Sequence, residues 1–184
     1  MDKLIAEAEE RMQNAVEATR REFARIRSGR ASPALLDKVL VNAYDTKMPV
    51  NQLATISVPE PRLIVVTPWD RKNVPAIERA ISTSAIGLTP VVEGSIIRLP
   101  VPPLTEERRR ELAKQVQKVA EDGRVAVRNV RRDANEGIKR MEKEESLSED
   151  EVRLGQDEIQ ELTDAHIEEL DEAAEQKVEE IMEV

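Results

Sequence analysis

The sequence contains no cysteine, and its 184 residues include one tryptophan, one tyrosine, one phenylalanine and one histidine. Without cysteine the chain can form no disulfide, thiolate nucleophile or cysteine metal site. It has no run of about 18 apolar residues, which a transmembrane helix would need. Its N-terminal residues are charged and helical in pattern, unlike a secretory signal. These absences predict a soluble cytoplasmic protein without a membrane partner.

Sequence motifs for catalysis are also missing. The chain has no glycine-rich phosphate loop, no histidine–carboxylate metal cluster and no Ser-x-x-Lys or Gly-x-Ser-x-Gly nucleophile. His166 lies on an apolar stripe, where a core or boundary position is expected, and metal sites need several ligands. A di-iron bundle would need a Glu-x-x-His from each of two helices, which one histidine cannot supply. We therefore predict a binding protein without enzymatic activity, metal or cofactor.

The longest regular pattern of the chain spans residues 102–145. After Pro103 this stretch contains no proline, and apolar residues recur at steps of three and four. That spacing predicts an α-helix that buries one stripe. Thr105 is placed to cap its start. The helix would have about 40 residues and a length of roughly 60 Å, which predicts an elongated protein.

Two further stretches repeat this helical pattern. One runs from Asp2 to about Ser28, where Gly29 would end the helix. The other begins at a capping box formed by Ser148 and Glu151 and continues almost to the C-terminus. Only a short loop separates the second long helix from the third. The sequence therefore predicts a long antiparallel three-helix bundle.

The middle of the chain has a different composition. All ten prolines lie between Pro33 and Pro103, and proline breaks helices but is tolerated at strand ends and turns. The pattern predicts strands at residues 38–44, 53–58 and 63–67, a helix at 74–85 and a hairpin at 91–101. Trp69 could make a surface contact, but a partly buried core or turn position is the favoured interpretation. The predicted fold class is α+β, with a small β/α/β domain inserted into the bundle.

The predicted domain boundaries follow from this change in composition. The bundle would comprise residues 1–30 and 104–184, and the inserted domain residues 31–103. The chain must leave the helical body once and return once, and we predict a hinge at these two crossings. The hinge residues would be Arg30, Ala31, Ser32, Val101, Pro102, Pro103 and Leu104.

Charge is distributed unevenly along the chain. The net charge is -9, which by itself disfavours nucleic acid as a partner. Residues 144–184, however, hold 17 of the 37 acidic residues and 2 of the 28 basic ones. Residues 105–143 hold 12 basic and 8 acidic residues, a balance of +4. The acid is thus concentrated in the last helix, and the other surfaces can still present a basic face.

The long central helix carries a stripe of arginines, which we call the arginine face. Its members are Arg124, Arg128, Arg131 and Arg132. The spacing of four and then three places the first three on one side of a helix, with the fourth alongside. The planar guanidinium suits phosphate groups and base edges better than the lysine ammonium does. An RNA-binding face is therefore one interpretation.

The other interpretation is a solvated face with ion pairs to neighbouring acids such as Glu121, Asp133 and Glu136. The same two interpretations apply to the arginines that crowd the end of the first helix, among them Arg27 and Arg30. Cations favour a helix C-terminus, so part of this cluster has a structural explanation. A coiled-coil adaptor that binds proteins is the alternative function, and its binding would depend little on salt.

Four strings of the sequence resemble one known family. They are RSGRASPALL (27–36), VPPLTEERRREL (101–112), RVAVRNVRRDANE (124–136) and QDEIQELTDAHIEELD (156–171). They look like the ribosome recycling factor of bacteria and of organelles derived from them, and the resemblance covers essentially the whole chain. It implies an L-shaped molecule in which a three-helix bundle and a β/α/β domain are joined by a flexible hinge of two strands.

The resemblance also implies a function and its partners. The protein would bind the post-termination 70S ribosome across the A and P sites of the large subunit. With elongation factor G and GTP it would split the subunits and release mRNA and deacylated tRNA, as a monomer without GTPase activity of its own. Arg131 matches the main RNA-contacting arginine of the family, Arg128 and Arg132 flank it, and Arg27 and Arg30 match the basic pair near the hinge.

Overall fold

The computed structural model describes residues 1–183 and has the predicted α+β fold. Residues Met1–Ser28 and Thr105–Val184 form one compact unit, and Gly29–Leu104 form a second. We call them the bundle unit and the inserted unit. The helices are α1 (Asp2–Arg25), α2 (Val74–Thr83), α3 (Glu106–Glu144) and α4 (Glu149–Met182), and the strands are β1 (Leu40–Ala43), β2 (Thr46–Pro49), β3 (Ala54–Glu60), β4 (Leu63–Pro68), β5 (Val91–Glu93) and β6 (Ile96–Pro100).

Helices α1, α3 and α4 pack into the predicted three-helix bundle. Gly137 of α3 lies against Leu4 near the start of α1, and Gly123 lies against Thr19 near its end, so these two helices are antiparallel. After a turn at residues 145–148, α4 returns along α3. The three apolar stripes meet in a core whose fully buried members include Met12, Val16, Val116, Ala120, Val127, Ile138, Ile159, Leu170 and Ile181.

The starts of α3 and α4 are capped as predicted. The hydroxyl of Thr105 accepts a hydrogen bond from the backbone N–H of Arg108 at 3.1 Å. The Ser148 hydroxyl accepts from the backbone N–H of Glu151, whose carboxylate in turn accepts from the backbone N–H of Ser148. These bonds satisfy helical N–H groups that have no partner within the helix. They define where α3 and α4 begin.

The end of α1 differs from the prediction, because the helix stops at Arg25 and not near Ser28. Ile26 is extended, with a ψ of 115°, and its side chain is buried. The Ser28 hydroxyl donates to Glu180 on α4 at 2.7 Å. Burial of Ile26 and this hydrogen bond favour an extended backbone over another helical turn. Gly29, at a φ of +79°, therefore lies beyond the helix end and is not its C′ residue.

The inserted unit contains two antiparallel sheets and α2. Strands β1 and β2 form a hairpin, and the other four are ordered β3-β4-β6-β5. One face of the larger sheet packs with α2 and the hairpin around a core that includes Leu36, Val41, Ile64, Val66, Ile77, Ile81, Ile97 and Leu99. Helix α2 ends at Thr83, two residues before the predicted end. The predicted strands at 53–58, 63–67 and 91–101 correspond to β3, β4 and the β5-β6 hairpin.

Strand β2 was not predicted from the sequence. The turn before it consists of Tyr44 and Asp45, with φ values of 51° and 61°. Two consecutive positive φ angles are typical of a type I′ turn, which usually contains Asn or Gly. Because this turn has neither, its sequence gave no hairpin signal.

Both ends of the inserted unit are fixed at its β3-β4 turn. The backbone N–H of Ala31 donates to the carbonyl of Pro61, and that of Val101 donates to the carbonyl of Arg62, each at 2.8 Å. A Cβ atom added to Gly29 would lie 2.8 Å from the side chain of Leu104. The entering and leaving segments therefore lie side by side, and a larger side chain than glycine would separate them.

Three further predictions concern single features. His166 is buried in the bundle with its Nδ1 2.7 Å from the carbonyl oxygen of Leu162, so the expected core position is confirmed. Trp69 is 67% exposed, so the expected partial burial is wrong. Among residues 1–183 no helix is long and apolar enough to span a membrane, and no cluster of three His, Asp or Glu side chains is placed to hold a metal ion.

Candidate nucleic-acid interface

Helix α3 positions the four members of the arginine face, but their environments differ. Two of them, Arg124 and Arg131, reach side chains of α4, whereas Arg132 is exposed and has no hydrogen-bond or ion-pair partner among residues 1–183. The difference matters because a carboxylate bound to a guanidinium offsets its positive charge and so weakens its attraction for a phosphate. The ion pairs therefore distinguish structural arginines from those that can bind RNA.

Arg124 is the most constrained of the four. Its Nε donates to Glu121 at 2.9 Å and its Nη1 to Asp171 on α4 at 2.5 Å, and only 20% of its side chain is exposed. These hydrogen bonds, chiefly that to Glu121, raise the pKa of Arg124. Asp171 is 47 residues away in sequence, so only the fold reveals this pair. The geometry gives Arg124 the role of linking α3 to α4.

Arg128 shares the carboxylate of Glu121 with Arg124. Its Nη1 lies 3.2 Å from the second Glu121 oxygen, and 42% of its side chain is exposed. The two guanidiniums lower the pKa of Glu121, mainly through the hydrogen bond from Arg124. Glu121 and Asp171 together supply two negative charges for the two guanidiniums, and Arg128 contacts only Glu121, at the longer distance. Arg128 is thus partly compensated and still accessible.

Arg131 and Arg132 have no carboxylate partner among residues 1–183. Arg131 Nη1 donates to the amide oxygen of Gln160 at 3.4 Å, close to the limit for a hydrogen bond. Arg132 is exposed and makes no hydrogen bond or ion pair in this part of the chain. The neighbouring acid, Asp133, instead pairs with Arg11 of α1 at 2.6 Å. These two guanidiniums are the ones available to phosphate groups.

The two predicted basic residues near the hinge lie in different units. Arg27 follows α1 in the bundle unit, is exposed and has no ion pair among the described residues. Arg30 is exposed and belongs to the inserted unit. Two other arginines at this end of α1 are paired, Arg20 with Glu169 and Arg25 with Glu22. Within this cluster Arg27 therefore resembles Arg132 in its availability.

The fold is a three-helix bundle interrupted by a small β-rich unit, with accessible arginines on its longest helix, and comparison with known proteins identifies the family. The family model for Ribosome recycling factor matches residues 19–182. The chain belongs to this family, and its function is ribosome recycling.

Individual relatives are similar over nearly their whole length. The ribosome-recycling factor of Symbiobacterium thermophilum is 57% identical over 181 residues, which cover 98% of both chains. That of Oleidesulfovibrio alaskensis is 52% identical over 184 residues, or 100% of both.

Two solved structures are also similar. A solution structure of the ribosome recycling factor is 47% identical, with a TM-score of 0.71 over 100% of this chain and 97% of that one. Models of the T. thermophilus ribosome recycling factor and the E. coli elongation factor G bound to the E. coli post-termination complex include a chain that is 44% identical, with a TM-score of 0.63 over 98% and 97%.

Proposed function

We propose that this chain binds the post-termination 70S ribosome across the A and P sites of the large subunit. Together with elongation factor G and GTP it splits the ribosome into subunits and releases mRNA and deacylated tRNA. It acts as a monomer in the cytoplasm, needs no cofactor of its own and catalyses no reaction, because GTP hydrolysis belongs to elongation factor G. The similarity to a factor studied together with elongation factor G on a post-termination complex supports this proposal.

The observation that carries the proposal is the pair of accessible guanidiniums at Arg131 and Arg132. They lie on a helix of 39 residues that packs against α1 and α4, so the backbone loses little conformational entropy on binding, and the entropic cost is that of ordering the two side chains. Arg128 and Arg27 would add contacts to ribosomal RNA, with Arg30 contributing from the inserted unit. Such contacts recognise phosphates and the shape of folded RNA more than its sequence.

Arg124 has a different part in this proposal. Its two carboxylate partners make it a bridge between α3 and α4. Arg124 therefore belongs to the rRNA-binding face as a positioning residue. It holds the surface of α3 in place, so that Arg128 and Arg131 can contact the RNA.

The hinge is the second part of the proposal. Ala31 and Val101 are bound to the β3-β4 turn, and Ser32 accepts a hydrogen bond from the backbone N–H of Ala34. These bonds tie Ala31, Ser32 and Val101 to the inserted unit. The backbone rotations of the hinge would therefore occur mainly in the flanking residues Arg30, Pro102, Pro103 and Leu104. The inserted unit would move as one body when elongation factor G acts on it, while the bundle stays docked.

The experiment that tests the function is subunit splitting followed by light scattering. Post-termination ribosomes are mixed with the protein, elongation factor G and GTP. We expect wild type to split them and Arg131→Ala to lose most of this activity. Arg153→Ala is the matched control, because Arg153 is also exposed and without an ion pair among residues 1–183 but lies on the acidic helix α4. It should split ribosomes as wild type does.

The possible results separate the parts of the proposal. If Arg131→Ala still splits ribosomes, the proposed function stands, but the main RNA contact must be made by other residues. Absence of both splitting and ribosome binding by wild type would overturn the proposal and favour a protein-binding adaptor. For the hinge, one engineered cysteine in each unit can form a specific disulfide because the natural sequence has none. The locked protein should bind ribosomes but not split them.

A further inference from the structure

Two of the three aromatic side chains of this protein are exposed in the inserted unit, and a hydrogen bond links one to the residue that follows the other. Trp69 is 67% exposed and Tyr44 is 66% exposed, whereas Phe23 is buried in the bundle. The Tyr44 hydroxyl donates to Asp70, the residue after Trp69, at 3.3 Å. Burying large aromatic side chains is strongly stabilising. A chain that has so few of them and leaves two exposed together has a surface suited to a ligand.

Hydrogen bonds within the unit hold both rings in place. Trp69 Nε1 donates to the Thr55 hydroxyl at 3.0 Å. The Tyr44 hydroxyl, besides donating to Asp70, accepts from the side-chain amide of Asn73 at 3.3 Å. The polar edges of the rings are thus already bonded, and the surface left to solvent is mainly apolar. Rigid rings lose little entropy when a flat ligand stacks on them.

The charges near these rings favour an anionic ligand. Lys47, Arg71 and Lys72 are exposed and make no ion pair among the described residues. The nearby acids are Asp45 and Asp70, and both oxygens of Asp70 already accept hydrogen bonds within the unit. Tryptophan, tyrosine and arginine are enriched in protein–protein interfaces, whereas lysine and aspartate are depleted there, so residue types alone do not indicate a protein partner. Cations beside exposed aromatic rings are instead typical of single-stranded nucleic-acid sites.

We propose that Trp69 and Tyr44 form a platform on which an unpaired RNA base stacks, while Arg71 and Lys72 contact the flanking phosphates. This site lies wholly in the inserted unit and uses none of the arginine face. It is therefore independent of the rRNA contact proposed for the bundle. The recognition would tolerate different bases, because every base offers a flat π surface.

Trp69 is the only tryptophan, so its fluorescence reports on this platform alone. The full chain is titrated with a short single-stranded oligoadenylate, and we expect quenching that saturates. With a fluorescently labelled oligoadenylate followed by anisotropy, Trp69→Ala and Tyr44→Ala should each weaken binding about tenfold, the size expected for one lost stacking contact. Trp69→Phe keeps a ring and should bind nearly as well as wild type, which also controls for folding.

Two controls separate this platform from the arginine face. The double variant Arg131→Ala with Arg132→Ala should show the same quenching of Trp69 as wild type. The same oligoadenylate paired in a duplex should quench little, because its bases cannot stack on the protein. Absence of quenching, equal quenching by the duplex, or its loss in the double variant would overturn the proposal. Quenching by isolated ribosomal proteins but not by oligoadenylate would overturn it in favour of a protein partner.

Discussion

The bundle unit and the inserted unit stabilise their surfaces in different ways. In the bundle, ion pairs join neighbouring helices, as between Arg11 and Asp133 or between Arg20 and Glu169. In the inserted unit, hydrogen bonds among neutral and polar side chains are more prominent. On the arginine face of the bundle, the two arginines without a carboxylate partner among residues 1–183 are the candidates for RNA binding. In the inserted unit, the exposed Trp69 is the corresponding candidate for a contact.

Glycine also has different roles in the two units. Gly123 lies where α3 approaches α1 and α4, and an added Cβ would lie 2.5 Å from the Thr19 hydroxyl and 2.6 Å from Leu170. Gly94 lies in the β5-β6 turn with a φ of +64° and open space around it. One position needs glycine because of packing, and the other because of the backbone conformation. Close helix packing thus requires glycine in the bundle unit, and a positive φ angle requires it in the inserted unit.

The largest expected effect comes from truncating a fully buried side chain in one unit. Ile97→Ala in β6 and Ile159→Ala in α4 should each cost about 2–5 kcal/mol of stability. Because the chain folds into two compact units, hydrogen exchange should increase in the strands for the first variant and in the helices for the second. If either variant exposes amides of both units equally, the units do not unfold separately.

A smaller effect is expected for Gly123→Ala. The added methyl group meets Thr19 and Leu170, and overpacking costs about 1–3 kcal/mol, of which the higher helix propensity of alanine returns about 1 kcal/mol. Urea denaturation should therefore show a net loss of stability.

Gly155→Ala is the matched control for Gly123→Ala. There the nearest atom is the sulfur of Met1, the flexible end of a side chain, at 2.8 Å. This substitution should be close to neutral. Equal losses from both substitutions would indicate that helix crossings in the bundle do not require glycine at one particular place.

The third prediction separates a structural arginine from an RNA-binding one. Arg124→Ala removes a mostly buried bridge and should lower stability by about 1 kcal/mol or less, since its partners are half exposed. Arg132→Ala should not change stability, but it should reduce the slope of log affinity for ribosomes against log salt concentration by about 1. Denaturation and ribosome binding at several salt concentrations test both. The reverse pattern would contradict the distinction.

The smallest expected effect is on the dependence of stability on pH in the acidic range. The pKa of Glu121 is lowered in the folded protein, chiefly by the hydrogen bond from Arg124. Its ionised form therefore stabilises the fold fully above the unfolded pKa of about 4.3, and this contribution is lost as the pH falls through the lower folded value. Glu121→Gln should flatten the dependence of the unfolding midpoint on pH in that range. Asp122→Asn, at an exposed neighbour without an ion pair among residues 1–183, should change it less.

Much of the fold was predictable because it depends on local patterns. Short stretches of sequence are enough to predict the helical stripes, the cap at Thr105 and the capping box at Ser148. The structure contains all three features. The hairpin turn at Tyr44 and Asp45 was not predictable, since its positive φ angles are imposed by the pairing of β1 with β2. The end of α1 was misplaced for a similar reason. It is set by the burial of Ile26 and not by Gly29.

The candidate site was less predictable than the fold. Spacing along one helix identified the arginines, but it could not show that Asp171 would neutralise Arg124 or that Asp133 would turn to Arg11. Both acids form ion pairs with arginines of another helix, and such pairs cannot be predicted from spacing along one helix. Trp69 was misjudged because its residue type favours burial, and only its neighbours in the fold show that it is exposed.

The inserted unit begins and ends at the same place. Gly29 lies against Leu104, and Ala31 and Val101 are held by consecutive carbonyls of one turn. A unit whose termini meet is a cassette, because it can be lengthened, exchanged or excised while the host chain keeps the same two attachment points. Evolution can therefore remodel what this cassette touches without altering the register of the helices, and an engineer can graft it into another scaffold at a single loop.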